Sequence, residues 1–438
     1  MTTSTEPEIG SVFVSNYPPY SIWNAEDVSA ARSALASPPR PDTPLGLYLH
    51  IPFCRKRCKF CYFRVYTDKN FDEIGSYLDA LATEVETAAR QPALAGRKPR
   101  FVYFGGGTPS YVSVKQLEVL VDRVKAVLPW DAAEEVTFEC EPGTLTESKV
   151  QKIREIGVTR LSLGIENFDD EILRENGRAH LSGEIDRCMP WIRAANFDQL
   201  NVDLIAGMVG ERWESWRETV RKTIELDPSS VTIYQLELPW NARYSKELQD
   251  GTLDVPLADW DQKRAWHQYA IEQLAAAGYE ISSAYTMVKP VPGREGASRF
   301  VYRDNVWRGC DLLGTGVASF SHLSGVHFQN ADGWGEYVAR ATAGELPLAR
   351  AHVTTPRERF IREFILQLKL GRVSAGAFVT KFGLDPRVEF APTLAALAER
   401  GFVRVDGDVV GVTPAGLLRV DLLLPEFYDP EFRGARYT

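Results

Sequence analysis

Residues 46–61 read Gly46-Leu-Tyr-Leu-His-Ile-Pro-Phe-Cys54-Arg-Lys-Arg-Cys58-Lys-Phe-Cys61. A short apolar run, Gly46–Ile51, is stopped by Pro52, and three cysteines follow within eight positions. The run has the length of a buried strand, and the cysteines begin just past its carboxyl end. Five similar runs follow: Arg100–Phe104, Glu135–Cys140, Arg160–Ile165, Leu200–Ile205 and Val231–Leu236. Amphipathic stretches separate them, such as Phe71–Arg90 and Trp213–Leu226, the latter stopped by Asp227-Pro228. Continuous apolar strands alternating with helices predict βαβ units and a parallel sheet buried on both faces. The predicted fold is α/β, a partial parallel (β/α)6 TIM-type barrel, with a doubly wound sheet as the other arrangement of the same units.

In either arrangement chemistry belongs at the carboxyl ends of the strands. Cys54 follows the first strand, Gly105, Gly106, Gly107 and Thr108 follow the second, and Glu139 closes the third. Glu166 follows the fourth, and Asp203 lies late in the fifth.

The flanks differ in texture. Residues 1–43 are polar and Pro-rich, ending in a linker, Ser37 to Leu45, and predict an arm outside the barrel. Residues 1–10 are polar enough to be disordered. Val12, Phe13, Val14, Tyr17, Tyr20, Ile22 and Trp23, by contrast, need a burial partner, either as a lid over the barrel mouth or as a plug beneath it. The barrel is expected over 44–340 and a small helical, winged-helix-like domain over 341–438. That domain has helices at Arg357–Leu370, Ser374–Phe382 and Phe390–Arg400, then a hairpin around Asp406-Gly407-Asp408. Its third helix carries Glu389, Glu399 and Arg400 and no basic face, which argues for a structural cap and against DNA binding.

The chain has 438 residues, 44% apolar and 25% charged, the balance of an ordinary globular protein. A net charge of −9 argues against nucleic acid or an anionic membrane as partner. No apolar run approaches the length of a membrane helix, and the first residues lack a signal-peptide pattern, so the cytoplasm is the expected location. Six cysteines in so long a chain are no disulfide framework. Cys140, Cys188 and Cys310 read as buried small residues, and Trp213 and Trp216 as packing on one helix face.

Cys54, Cys58 and Cys61 have the spacing C-x3-C-x2-C. Three thiolates leave one iron of a [4Fe-4S] cluster without a protein ligand, free to be chelated by the amine and carboxylate of a small molecule. The alternative is a structural zinc site with His50 as fourth ligand, although His50 lies in a predicted strand and zinc sites usually draw ligands from two separated pairs.

The cysteine loop, with Phe60 before its third cysteine, resembles the signature of the radical S-adenosylmethionine (SAM) superfamily. Tyr48-Leu-His-Ile-Pro-Phe-Cys54 resembles the opening of the oxygen-independent coproporphyrinogen III oxidase family, which includes oxidases, haem chaperones and methyltransferases. Phe104-Gly-Gly-Gly-Thr-Pro-Ser-Tyr111, Arg160-Leu-Ser-Leu-Gly-Ile-Glu-Asn-Phe168, Asn201-Val-Asp-Leu-Ile-Ala-Gly207 and Asp311-Leu-Leu-Gly-Thr-Gly316 match further family motifs.

The resemblance implies a [4Fe-4S] cluster, SAM (one molecule or two), an electron donor such as a flavodoxin or ferredoxin, a small-molecule substrate and a monomeric enzyme. It implies that Gly105–Gly107 let the backbone approach SAM's methionine group, and that Glu139, Asp203 and Glu166 serve SAM's ribose and sulfonium surroundings. Arg178 would meet SAM's carboxylate, Phe60 its adenine, and Tyr48 would hydrogen-bond near the cluster; Tyr48 and Glu139 are the catalytic candidates. The expected reaction is akin to oxidative decarboxylation of porphyrinogen propionates. The alternatives are a methyltransferase or cyclopropanase using two SAM molecules, and a haem chaperone.

Three positions depart from the oxidase pattern: Phe63 stands where the oxidases carry a further cysteine, Glu166 where they carry glutamine, and Asp304-Asn-Val-Trp307 resembles the chaperone branch. Ser15-Asn-Tyr-Pro-Pro-Tyr20 resembles the oxidases' N-terminal arm. The basic residues Arg55, Lys56, Arg57, Lys59 and Arg64 read as solvated charge or as a face for an acidic reductant or substrate carboxylates.

Overall fold

The computed structural model describes residues 9–291, 293 and 299–435. The expectation of disorder over 1–10 lies mostly outside these residues; Gly10 is described, and its amide donates to the Leu238 carbonyl at 2.8 Å.

Six parallel strands form in the order of the chain. They are β1 (Leu45–Ile51), β2 (Phe101–Gly106), β3 (Glu135–Cys140), β4 (Arg160–Glu166), β5 (Gln199–Ala206) and β6 (Ser230–Gln235). The helices between them cap as the sequence dictates. Asn70 accepts from the Asp72 and Glu73 amides to start Phe71–Ala89, and Asp227, with φ +51, ends Trp213–Leu226.

The sheet is larger than the sequence pattern suggests. Strand β8 (Thr286–Val288) adds antiparallel to β6, and β7 (Glu280–Ile281) adds antiparallel to β8 at the edge. At the other edge β9 (Asp311–Thr315) pairs parallel to β1, followed by antiparallel β10 (Phe320–Leu323), β11 (Val326–Asn330) and β12 (Leu348–Val353). The Asp311–Gly316 motif is therefore mostly strand.

The strands are not apolar on both faces, as the reading from continuous apolar runs had it. Val102, Phe104, Val136, Phe138, Leu161, Leu163, Val202, Leu204, Val231 and Ile233 point to the helices and form the main core. The alternate positions, among them Tyr103, Glu139, Ser162, Asp203 and Tyr234, line a cavity on the concave face. A partial barrel whose inner face is wet needs this period of two.

A second core gathers Phe360, Phe364, Phe378, Phe390 and Phe427 between the helices Pro356–Leu368, Ala375–Phe382 and Ala391–Glu399. Beside them stands the three-stranded sheet β13 (Arg372–Ser374), β15 (Val409–Val412) and β14 (Val403–Asp406), whose hairpin turns at Gly407-Asp408. Val14 and Tyr17 of the N-terminal arm belong to this core, and Tyr17 packs on Tyr428 and Phe432. Trp23 is buried with its ring stacked on His327. Among the described residues no helix is long and apolar enough to cross a membrane.

Candidate functional site

A cavity of about 520 Å³ opens at the carboxyl ends of the strands, and Cys54, Cys58 and Cys61 line it. The cysteine loop is held there by its neighbours. The Cys54 amide donates to the Tyr66 carbonyl, and the Thr108 and Gly107 amides donate to the Phe53 and Ile51 carbonyls. Arg55 donates to both oxygens of Glu141 (3.2 and 3.1 Å) and to the Ala179 carbonyl (2.7 Å). Lys59 pairs with Glu175 at 2.6 Å, Arg57 donates to the Cys61 carbonyl, and Arg64 pairs with Asp332. Most of the basic cluster thus pins the loop from within.

The three thiols are free of disulfides. Burial pushes Cys54 up to about 11 and Cys61 up to about 12, so each keeps its proton until a metal displaces it. Two donors are aimed at the sulfurs: Thr108 Oγ1 at Cys54 Sγ and Arg178 Nη1 at Cys58 Sγ, both 3.4 Å. Such donors are the outer-shell partners of a thiolate cluster.

His50 does not join the thiols as a fourth zinc ligand. Among the described residues no three His, Cys, Asp or Glu side chains converge on a single ion. His50 is not part of the cavity lining; its Nδ1 lies 3.2 Å from the Tyr48 hydroxyl, and burial lowers it to about 4. Three thiols line the cavity without His50, the donor set of a [4Fe-4S] cluster with one iron left open.

The glycines serve packing first. A Cβ on Gly106, whose φ is +115°, would sit 2.5 Å from the His50 ring, and one on Gly107 would sit 2.8 Å from the Pro52 backbone. On Gly105 it would meet Tyr103 at 2.7 Å. The absence of side chains lets this loop press against the cysteine loop, while Gly106 and Gly107 still face the cavity.

Glu139 accepts from the Tyr103 hydroxyl (2.6 Å) and the Gly106 amide (3.1 Å), and burial pushes it up to about 7. Asp203 accepts from Ser162 and Asn201, both at 2.9 Å, and burial raises it too. Glu166 sits at a break in the β4–β5 register with φ +65°. Its carboxylate lies 3.5 Å from Arg178, and burial pushes it up to about 7. Arg178 also donates to the Gly164 carbonyl at 2.7 Å. Phe60 lines the cavity beside these groups. Tyr48 does not line it: its ring stacks on Tyr103 and its hydroxyl meets His50.

Several lining residues escaped the sequence reading. Tyr103 orients Glu139, and Glu141 anchors the loop; although burial opposes ionisation there, His180 and Arg55 hold Glu141 down to about 2. Arg160, 2% exposed, lies under the Phe300 ring at 4.1 Å with its Nε unpartnered among the described residues. The period-two spacing of 160, 162, 164 and 166 was the signal that Arg160 shares the cavity face.

The sequence model of the radical SAM superfamily matches residues 48–223. The chain is 29% identical to the oxygen-independent coproporphyrinogen III oxidase of Synechocystis, over 92% of this chain and 89% of that protein. It is 27% identical to a haem chaperone of Bacillus subtilis, over 85% of this chain and 96% of that one. The solved structure of the Escherichia coli coproporphyrinogen III oxidase, described as a radical SAM enzyme, superimposes with a TM-score of 0.81. That match is at 26% identity and covers 95% of this chain and 96% of that one. Residues 48–223 match the radical SAM superfamily, whose enzymes work with a [4Fe-4S] cluster and SAM, and nearly the whole chain is similar to the oxygen-independent coproporphyrinogen III oxidases.

Proposed function

We propose that the enzyme oxidatively decarboxylates a propionate side chain of a coproporphyrinogen-type tetrapyrrole. The observation that carries this reading is Arg160, a buried guanidinium whose Nε has no hydrogen-bond partner among the described residues, in the same cavity as the three cysteines. Glu135, Glu139 and Asp203 already feel its charge, but a buried donor left unpartnered is costly until an acceptor meets it, and a propionate carboxylate suits a guanidinium.

When bound, the cluster and SAM supply a 5′-deoxyadenosyl radical that removes a hydrogen atom from the substrate. Cys54, Cys58 and Cys61 would hold three irons, with Thr108 and Arg178 donating to their sulfurs. Glu139 and Asp203 would accept from SAM's ribose hydroxyls, Arg178 would meet its carboxylate, and Phe60 would cover its adenine. The propionate would lose one hydrogen atom to the 5′-deoxyadenosyl radical, giving 5′-deoxyadenosine, then one electron to an external acceptor and its carboxylate as carbon dioxide, leaving a vinyl group. A flavodoxin- or ferredoxin-type protein would supply the reducing electron.

Radical chemistry needs a dry site. Val12 and Phe13 of the arm line the cavity, and Glu237 accepts from the Ser11 hydroxyl (2.5 Å) and the Val12 amide (3.2 Å). Residues 10–13 would act as the lid, with the segment from Val14 onward as its anchor. Methyl-labelled SAM tests the reaction class. The proposal predicts unlabelled tetrapyrrole product with no S-adenosylhomocysteine. Label in the product together with S-adenosylhomocysteine would make the protein a methyltransferase, and haem binding without SAM cleavage would make it a chaperone.

A further inference from the structure

A second cavity of about 450 Å³ lies at the opposite end of the strands, beneath the amino ends of β1 and β9. Three parts of the chain meet there: the linker (Arg40, Pro44), the sheet and the helix end before it (His322 of β10, Arg308) and the C-terminal helices (Arg359, Arg362, Lys381). Its lining carries five Arg and Lys side chains against two carboxylates, Asp42 and Glu363, in a chain whose net charge is −9. A cationic pocket on an acidic protein is not the product of overall composition.

The charges are partly committed. Lys381 is held by both oxygens of Glu363 at 2.7 and 2.8 Å, and Arg40 by Asp311 at 3.3 Å. Arg362 is 4% exposed; its Nε donates to Asn16 and its Nη1 to the Val306 carbonyl, while its Nη2 makes no hydrogen bond among the described residues. Arg359 spends Nη1 on Thr354 and has no bond from Nη2 among the described residues. Arg308 is half exposed; its Nη1 donates to the Asp304 carbonyl at 3.2 Å and lies 3.8 Å from the Asp304 carboxylate, while its Nη2 makes no hydrogen bond among the described residues. His322, also in the lining, is kept neutral first by burial and then by the charges of Arg362, Arg40, Arg359 and Lys381.

We infer that this cavity is a binding site for a small polyanion, a di- or triphosphate or a polycarboxylate, separate from the cysteine cavity. The spare donors of Arg362, Arg359 and Arg308 form a fork-lined wall of the kind that takes phosphate or carboxylate oxygens bidentately. A ligand there ties linker, sheet and C-terminal helices together, and therefore stabilises the assembled chain by mass action.

The test uses the reconstituted holoenzyme, titrated with inorganic pyrophosphate or with citrate while the thermal midpoint is followed. Sodium chloride at matched ionic strength is the control for screening. The expected result is a saturable rise in Tm with at least one of the two anions, beyond the chloride control. In the Arg308→Gln/Arg359→Gln double variant the half-saturating concentration should rise at least tenfold. A response to pyrophosphate alone assigns phosphate, and to citrate alone a polycarboxylate. If the double variant is unstable, Arg308→Gln alone is read, with a smaller rise expected. A shift no larger than that with chloride, or one that the variants leave unchanged, would overturn the site.

Discussion

Arg55 joins the cysteine loop to the rest of the barrel, because its guanidinium bridges Glu141, at the carboxyl end of β3, and the Ala179 carbonyl. Arg55→Ala should leave the fold in place, since His180 still contacts Glu141 at 3.1 Å. The loop should loosen by about 1–3 kcal/mol, the usual loss for a charge-assisted hydrogen bond. Iron and sulfide retained after anaerobic gel filtration should fall several-fold, with Tm nearly unchanged; full retention would remove Arg55 from the role. Glu139 is tied to Tyr103 and the Gly106 amide rather than to solvent, so its carboxylate is fixed before any ligand arrives. Glu139→Ala should weaken SAM binding by about 1–3 kcal/mol, read by equilibrium dialysis on the reconstituted protein. Unchanged affinity would take Glu139 out of the SAM site.

At the scale of elements, the helix Phe71–Ala89 is bound to the late strands by Glu84. This buried carboxylate accepts from the Gly316 amide (2.9 Å), the Asn330 amide (2.6 Å) and the Tyr337 hydroxyl (2.6 Å). Burial pushes it from 4.5 up to about 7. A carboxyl raised in the folded state favours folding most below its unfolded value, and that advantage is lost as pH climbs through about 7. The wild-type protein should therefore lose up to about 3 kcal/mol relative to Glu84→Gln between pH 4.5 and 7.5. Urea midpoints of the two proteins across that range check it, and a constant difference would refute it.

These late strands also show where the sequence was hard to read. β1 to β6 announce themselves because each is a run of large apolar residues bounded by turn signals, and their carboxyl ends locate Cys54, Glu139, Glu166 and Asp203. β9 to β12 are short, and His322, His327 and Gln329 within them are polar yet buried, so hydropathy gave no strand signal. The inner face of the sheet was legible only as a period of two inside runs that looked continuous. Arg160 and Tyr103 were overlooked for that reason. Tyr48 shows the converse: a motif position is plain in the sequence, but its hydroxyl's choice of His50 over the cavity is a matter of side-chain geometry.

For the whole molecule, the N-terminal arm is two things in succession. Residues 10–13 reach the cavity mouth, whereas Val14, Tyr17 and Trp23 are core, with exposures of 0%, 0% and 5%. The Val14 backbone is clamped further, its amide donating to Asp421 and its carbonyl accepting from the buried Lys369. Removing residues 1–13 should keep a folded, cluster-binding protein that cleaves SAM without matching product. Removing 1–23 deletes the buried Val14, Tyr17 and Trp23 side chains, each contributing about 1.5–3 kcal/mol, together with buried Pro18 and Pro19, and should yield insoluble or unfolded chain. If both truncations behave alike, the division at Val14 is wrong.

The central claim is that this cavity removes hydrogen from a tetrapyrrole propionate. Its most direct test supplies the anaerobically reconstituted, reduced enzyme with coproporphyrinogen III deuterated on the propionate carbon next to the ring. The measurement is mass spectrometry of the recovered 5′-deoxyadenosine and porphyrinogen. Deuterium in 5′-deoxyadenosine, matched by a porphyrinogen that has lost carbon dioxide and gained a vinyl group, is the predicted result. SAM cleaved with no deuterium transferred and the porphyrinogen unchanged would contradict it.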